Sequence, residues 1–150
     1  MSTFRLHQEP LQQGWLDAYG HLNEAYYLVP FSNATWKLQD RFGIGTEYFD
    51  QTGRALYTLE THLRYVSEVR APATLSIETA VLGVDAKRLH VGHTMWVGTT
   101  ECATFECMLL HYDTRASAAV AFPEDIRADL RDATLQPTPE WVGKALRRLE

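Results

Sequence analysis

The residues richest in chemistry lie close together near the start of the chain, in Trp15-Leu16-Asp17-Ala18-Tyr19-Gly20-His21-Leu22-Asn23-Glu24-Ala25-Tyr26-Tyr27. A carboxylate, an imidazole, an amide and a glycine stand just ahead of an apolar stripe at helical spacing. Unpaired backbone amides at a helix start can polarise a carbonyl oxygen as negative charge builds on it. Gly20 permits close backbone approach, and Asp17 can attack a carbonyl or take a proton from water. Together these are the parts needed for acyl transfer. Asp, Gly and Asn are equally the residues of an ordinary turn and helix cap, so spacing alone leaves both readings open.

Other chemistries find less support. His90 and His93 are three apart, which in a strand sends them to opposite faces, and no further ligands accompany them, so no metal is expected. His62 and His111 fall on other strands and read as core or surface histidines. Cys107 sits in an apolar strand with no basic neighbour in sequence, the setting of an inert thiol. Cys102 and Cys107 are the two cysteines, and their odd separation of five is expected to point them to opposite faces without a disulfide. A Gly-x-Ser-x-Gly elbow is absent, and Gly43-Ile44-Gly45 is too short for a phosphate-cradling loop.

The elements that must position the motif follow from periodicity. Phe4 to Gln12 alternates roughly apolar and polar, as a first strand does, until Gly14 breaks it. A loop from Gly14 to Leu22 follows. Asn23 caps one long helix ending at Gly43, with Tyr27, Phe31, Ala34, Leu38 and Phe42 as its apolar stripe. Pro30 lacks the amide that would bond to the Tyr26 carbonyl, so a kink or locally broken turn is expected there. Gly43 to Arg54 shows no sustained period. Ala55 to Glu68, Thr74 to Val84, Lys87 to Thr99 and Thr104 to Thr114 read as strands, with breaks at Arg70-Ala71-Pro72, Gly83 to Ala86 and Thr100 to Ala103. Pro123 suits a first helical turn, and Thr138-Pro139-Glu140 is expected to cap a last amphipathic helix carrying Trp141, Leu146 and Leu149. One helix ahead of an antiparallel meander makes an α+β domain whose sheet wraps the helix.

Bulk properties agree with a single domain over 1–150. The chain has 150 residues, 45% of them hydrophobic and 22% charged, as soluble globular proteins do. At this length about 68–70% of the unfolded chain's surface is buried on folding, enough for a core without staples. A net charge of −5 disfavours a nucleic-acid partner, which would demand a basic face. The N-terminus shows no apolar signal region and no stretch reaches a membrane span, so a cytoplasmic protein with no membrane partner is expected.

The pattern Asp17-x-x-Gly20-His21-[apolar]-Asn23 followed by an aromatic-rich helix resembles the signature of hotdog-fold thioesterases, the group of the 4-hydroxybenzoyl-CoA and fatty acyl-ACP enzymes. The order of elements over Phe4 to Thr114 matches that fold; the tail after Ala121 is less diagnostic. Within the group, Asn23-Glu24-Ala25-Tyr26-Tyr27, Tyr57-Thr58-Leu59-Glu60 and Lys87-Arg88-Leu89-His90 look most like the thioesterase domains beside or fused to carnitine dehydrogenases. The resemblance implies hydrolysis of an acyl-CoA to an acid and free CoA without a further cofactor. It places Asp17 as nucleophile or general base and the Glu24 amide as polariser of the thioester oxygen. His21 and Asn23 would then position water or substrate, with Gly20 giving room. Glu68 matches the place where the acyl-ACP enzymes hold a second carboxylate, though a Glu at a strand end is more often simply solvated. Pro30 and Glu24 depart from the best-known pattern, since the aryl-CoA enzymes carry a tyrosine at the latter position, and this bears on substrate preference. The family's sites form between subunits, so a homodimer or homotetramer is expected.

The aromatics Trp15, Tyr19, Tyr26, Tyr27 and Trp36 with Glu24 suit a small polar acyl group such as the trimethylammonium of betainyl or carnitinyl, held by cation–π attraction. Core packing is their commoner use, and a medium-chain fatty acyl is the alternative substrate. Two other function classes remain: a hotdog hydratase or dehydratase, in which Asp and His come five apart rather than four as here, and a non-catalytic acyl-CoA-binding protein.

Overall fold

The computed structural model describes residues 3–146, 148 and 149. Strand β1 (Phe4–Pro10) leads through a short 3-10 turn (Gln13–Trp15) and the motif loop to a second 3-10 turn (Glu24–Tyr27) that runs into α1 (Leu28–Arg41). Then come α2 (Thr46–Thr52), β2 (Arg54–Tyr65), β3 (Thr74–Val84), β4 (Arg88–Val97), β5 (Thr100–Asp113), β6 (Ala118–Ala119) and α3 (Glu124–Ala133). The sheet order is β1-β3-β4-β5-β2, with β6 beside β5, and every pairing is antiparallel. This is the hotdog arrangement of one long helix packed in a curled sheet.

Alternation along the strands builds the inner face. Leu75, Ile77, Thr79 and Val81 of β3, Leu89, Val91, His93 and Met95 of β4, and Ala103, Phe105, Cys107 and Leu109 of β5 are all buried. They meet Phe31, Ala34 and Leu38 of α1 in one core. The Phe31 ring lies parallel to His93 at 5.9 Å and to Phe105 at 5.0 Å. Each fully buried side chain of this size contributes about 1.5–3 kcal/mol.

His93 is the polar exception in that core. Its Nε2 and Nδ1 each lie 2.8 Å from a threonine hydroxyl, Thr35 on α1 and Thr79 on β3, so both ring nitrogens are satisfied. Burial pushes its pKa down to about 3 and keeps the ring neutral. His90 faces the other way, its Nε2 2.7 Å from the buried Glu106 on the outer face of the sheet.

Several expectations need correcting. The helix does not run unbroken from Asn23: four residues of 3-10 turn precede α1, and Pro30 is the third residue of α1. Its missing amide falls in a first turn, where amides have no helical acceptor anyway, so the proline is accommodated at the helix start. The stretch after Gly43 contains α2, closed by Gly53 at φ +71°. β5 begins at Thr100 rather than Thr104, because the hairpin turns at Gly98, φ +59°, and a register shift opposite Met95/Trp96 breaks the alternation around Cys102. That bulge also defeats the opposite-face argument: Cys102 and Cys107 lie in the same core, and both are free.

The end of the chain departs most. α3 forms after Pro123, but no helix follows Pro139 among the described residues, and Arg147 and Glu150 lie outside them. Gly143 takes φ +74° and donates its amide to the Glu106 carboxylate at 2.9 Å. Trp141 packs on Gly92 of β4, where an added Cβ would come within 2.9 Å of the indole. The tail thus binds as a strap across the outer face, and Leu146 and Leu149 remain exposed. No helix among the described residues is long and apolar enough to cross a membrane.

Candidate active site

The motif loop folds on itself before it packs on anything. The Asp17 amide donates to the His21 carbonyl at 2.8 Å, and the Gly20 amide donates to the Asp17 carbonyl at 3.0 Å. Gly20 closes this turn at φ +79°, which its missing Cβ allows. Asp17 Oδ1 accepts from the amides of Tyr19 (2.9 Å) and His21 (3.2 Å). The turn reading of this aspartate therefore holds for one oxygen. Oδ2 has no hydrogen-bond partner among the described residues.

The loop is then pinned to the link between β2 and β3, where the Leu22 amide donates to the Val69 carbonyl at 2.8 Å and His21 bridges to Arg70. This brings His21 Nε2 to 3.0 Å from Glu68 Oε2. The approach is off the hydrogen-bond axis, leaving Nε2 closed from solvent without a formed bond. Glu68 also meets Arg70 at 3.4 Å.

On the helix side, Asn23 is the cap: its Oδ1 accepts from the Ala25 amide at 2.9 Å and its own amide donates to the Trp15 carbonyl at 2.9 Å. The Glu24 amide, first in the turn, has no acceptor among the described residues. Asp17, His21, Glu24, Tyr27, Tyr65 and Glu68 line one cavity of about 270 Å³. Burial pushes the Tyr27 hydroxyl up to about 12, with Cys102, Tyr65, Asp17 and Glu68 adding to the rise. Tyr27 packs edge-on to Tyr65, ring centres 4.9 Å apart, and the Tyr65 hydroxyl donates to the Glu24 carbonyl at 3.0 Å.

Residues 11–130 match the family model described as the thioesterase-like superfamily. The chain belongs to the thioesterase-like superfamily. Betainyl-CoA thioesterase of Pseudomonas aeruginosa is 34% identical over 93% of this chain and 92% of its own length. The L-carnitine dehydrogenase/betainyl-CoA thioesterase of Agrobacterium fabrum is 39% identical over 95% of this chain, which spans only 30% of that larger protein. Among solved structures, a candidate thioesterase of Pseudomonas putida KT2440 is 30% identical, covers 100% of this chain and 99% of its own, and superposes with a TM-score of 0.83. A Staphylococcus aureus hypothetical protein solved in complex with CoA shares the fold at a TM-score of 0.87 and 23% identity, covering 99% of this chain and 98% of its own.

In this thioesterase-like chain the residues named from sequence divide into groups. Asp17, His21, Glu24, Tyr27 and Glu68 converge on one cavity. Asn23 and Gly20 shape the backbone around it. Trp15 and Tyr26 stack on each other, centroids 6.1 Å apart, and do not line the cavity. Tyr19 is 82% exposed. Trp36 faces a separate cavity with Leu56 and Phe105 between α1 and the sheet. A five-residue aromatic cage is therefore not assembled within one chain; the cavity's aromatic walls are Tyr27 and Tyr65. Sequence reasoning missed Tyr65, because its partner Glu24 lies 41 residues away and only the β2 register brings the two together.

Proposed function

We propose that the chain hydrolyses acyl-CoA thioesters at this cavity. The observation that carries the reading is a carboxylate with one free oxygen, Asp17, lining the same cavity as the residue whose backbone amide is unpaired at the helix start, Glu24. A thioester carbonyl seated there would have its oxygen polarised by the Glu24 amide while Asp17 attacks the carbon or deprotonates a water. Glu68, on the cavity wall, would orient that water, and His21, 3.0 Å from it, would hold Glu68 in place. The coenzyme is part of the substrate, and the chemistry needs no added cofactor.

The acyl group is a small cationic one, such as betainyl. Three carboxylates, Asp17, Glu24 and Glu68, line the cavity with no Lys or Arg among the lining residues. The faces of Tyr27 and Tyr65 add attraction for a quaternary ammonium, about 0.5–2 kcal/mol each. The betainyl-CoA thioesterases named above support the same choice. The working form is a homodimer or homotetramer: β2 is an open edge of the sheet and carries exposed Tyr57 and Leu59, beside exposed Leu28 and Trp36 on α1.

Thiol release measured across a panel of acyl-CoAs tests the reading. Betainyl-CoA is expected to give the highest kcat/KM. Better turnover of octanoyl-CoA would remove the cationic-acyl reading and keep the hydrolase. An absorbance change without thiol would replace hydrolysis with hydration, and no reaction with any member would leave a binding protein.

A further inference from the structure

We infer that Tyr65 is a positioning residue for hydrolysis: its hydroxyl, anchored on the last residue of β2, holds the carbonyl of Glu24 and with it the backbone of the residue whose amide polarises the thioester oxygen. The inference rests on the proposed thioesterase reading and adds a residue to it.

The Glu24 amide can act only if it points at one place: its own peptide unit is held within the turn by the Tyr26 amide, which donates to the Asn23 carbonyl at 3.0 Å, and the Glu24 backbone is fixed further from outside. Three contacts from outside the turn surround it. On its N-terminal side Asn23 is tied twice, by its amide to the Trp15 carbonyl and by its Oδ1 to the Ala25 amide, both at 2.9 Å. On its C-terminal side the Glu24 carbonyl accepts from Tyr65 at 3.0 Å. This last bond is the one that ties the residue to the sheet, and the sheet is the rigid body here, since β2 pairs along its whole length with β5. Rotation of the Glu24 backbone would have to break it.

Tyr65 is suited to the task. Its ring is braced edge-on by Tyr27, which is itself 3% exposed. Burial and the neighbouring Glu24 raise its pKa, so the hydroxyl stays a donor throughout the working pH range. As a tyrosine on the cavity wall it is also half-exposed, so removing the hydroxyl alone leaves the core intact.

A preorganised donor is worth about 10²–10³ in turnover when removed outright. Loosening it without removing it is expected to cost about 10-fold in kcat. In Tyr65→Phe, kcat for the best acyl-CoA of the panel should fall by about that factor, while KM, the dissociation constant for free CoA and the oligomeric mass stay at wild-type values and Tm falls by no more than the ~6 °C that one lost hydrogen bond allows. A second readout is independent of turnover: the carbonyl stretch of that acyl-CoA, labelled with carbon-13 at the thioester carbon and bound to Asp17→Asn protein. Adding Tyr65→Phe should move the band back toward its frequency in water. Wild-type kcat in Tyr65→Phe, or an unmoved band, overturns the inference. So does a loss of kcat accompanied by a fall in Tm well beyond ~6 °C or by altered mass, which would make the tyrosine structural. Failure of the parent reading looks different, because then Asp17→Asn itself retains turnover.

Discussion

On the proposed mechanism Asp17 would have two separable jobs, and two substitutions pull them apart. Oδ1 holds the motif turn through the amides of Tyr19 and His21, while Oδ2, without a hydrogen-bond partner among the described residues, would do the chemistry. In Asp17→Asn the amide oxygen keeps both turn bonds, so Tm is expected to stay within about 2 °C of wild type. Only the carboxylate's charge and basicity disappear, and turnover should drop by about 10²–10⁴, or more if Asp17 is the nucleophile. That corresponds to roughly 3–5 kcal/mol of barrier. Asp17→Ala loses the acceptor as well. Two partly solvated bonds at about 0.5–1.5 kcal/mol each put the added cost at about 1–3 kcal/mol. For a domain of this size that is a fall in Tm of about 2–12 °C. Thermal melts and thiol-release kinetics on both variants give the four numbers required. Near wild-type turnover in Asp17→Asn, with Asp17→Ala destabilised, would show an aspartate that only makes a turn, and the catalytic assignment would be refuted.

Further outcomes follow from the core, the outer face and the open edge. His93 has its pKa pushed far below that of an unfolded histidine, so between about pH 6.5 and pH 3 the unfolded chain binds the proton that the folded one refuses. Stability should therefore fall by roughly 1.4 kcal/mol per pH unit on acidification through that window, and urea melts of His93→Leu should lose that component of the slope; an unchanged slope would deny the histidine this role. Gly92→Ala would set a Cβ 2.8 Å from Leu82 Cδ1 and 2.9 Å from the Trp141 ring. Overpacking of this kind costs about 1–3 kcal/mol, and the displaced strap should be cut faster by trypsin at Lys144; wild-type Tm and cleavage rate would contradict the packing. Light scattering is expected to give a multiple of the 17.1 kDa chain mass, reduced by Leu59→Asp on the edge strand, whereas a fully active monomer would remove the shared-site model.

How much of this was legible in the sequence depended on how local each signal was. The β3 boundaries, Thr74–Val84, read correctly because a β-prone apolar run bounded by Arg70-Ala71-Pro72 ends in Gly83-Val84-Asp85. α1 read correctly in its stripe and too simply at its start, since the 3-10 turn differs from an α-turn in hydrogen-bond partner and not in side-chain pattern. α2 was invisible: none of its residues is buried, so no apolar period exists to find. The β5 start was hidden by a bulge, which by construction breaks the period that reveals a strand. The last helix failed for a long-range reason, namely that Glu106 and Gly92 on the sheet offer Gly143 and Trp141 better partners than a helix would.

The same rule sorts the candidate site. Asp17, Gly20, His21 and Asn23 were legible as candidates because they lie within a single seven-residue stretch, their residue types written in nearby positions. What the sequence could not show is where that turn is fastened. Val69 and Glu68 hold it from one side and Tyr65 from another, all supplied by the end of β2 and the link beyond it, more than 40 residues downstream. The aromatic cage fails on the same ground: proximity in sequence placed five rings together, yet the turn and helix send Trp15 and Tyr26 against each other, Tyr19 to solvent and Trp36 to another cavity. Only Tyr27 stays, and its companion in the cavity is a tyrosine that local reading had no cause to pair with it. On the proposed mechanism the loop would supply the reacting group and the sheet the aim of the oxyanion donor, so loss of the Tyr65 hydroxyl at the end of β2 should lower kcat by about 10-fold and loss of the Asp17 carboxylate by about 10²–10⁴ or more.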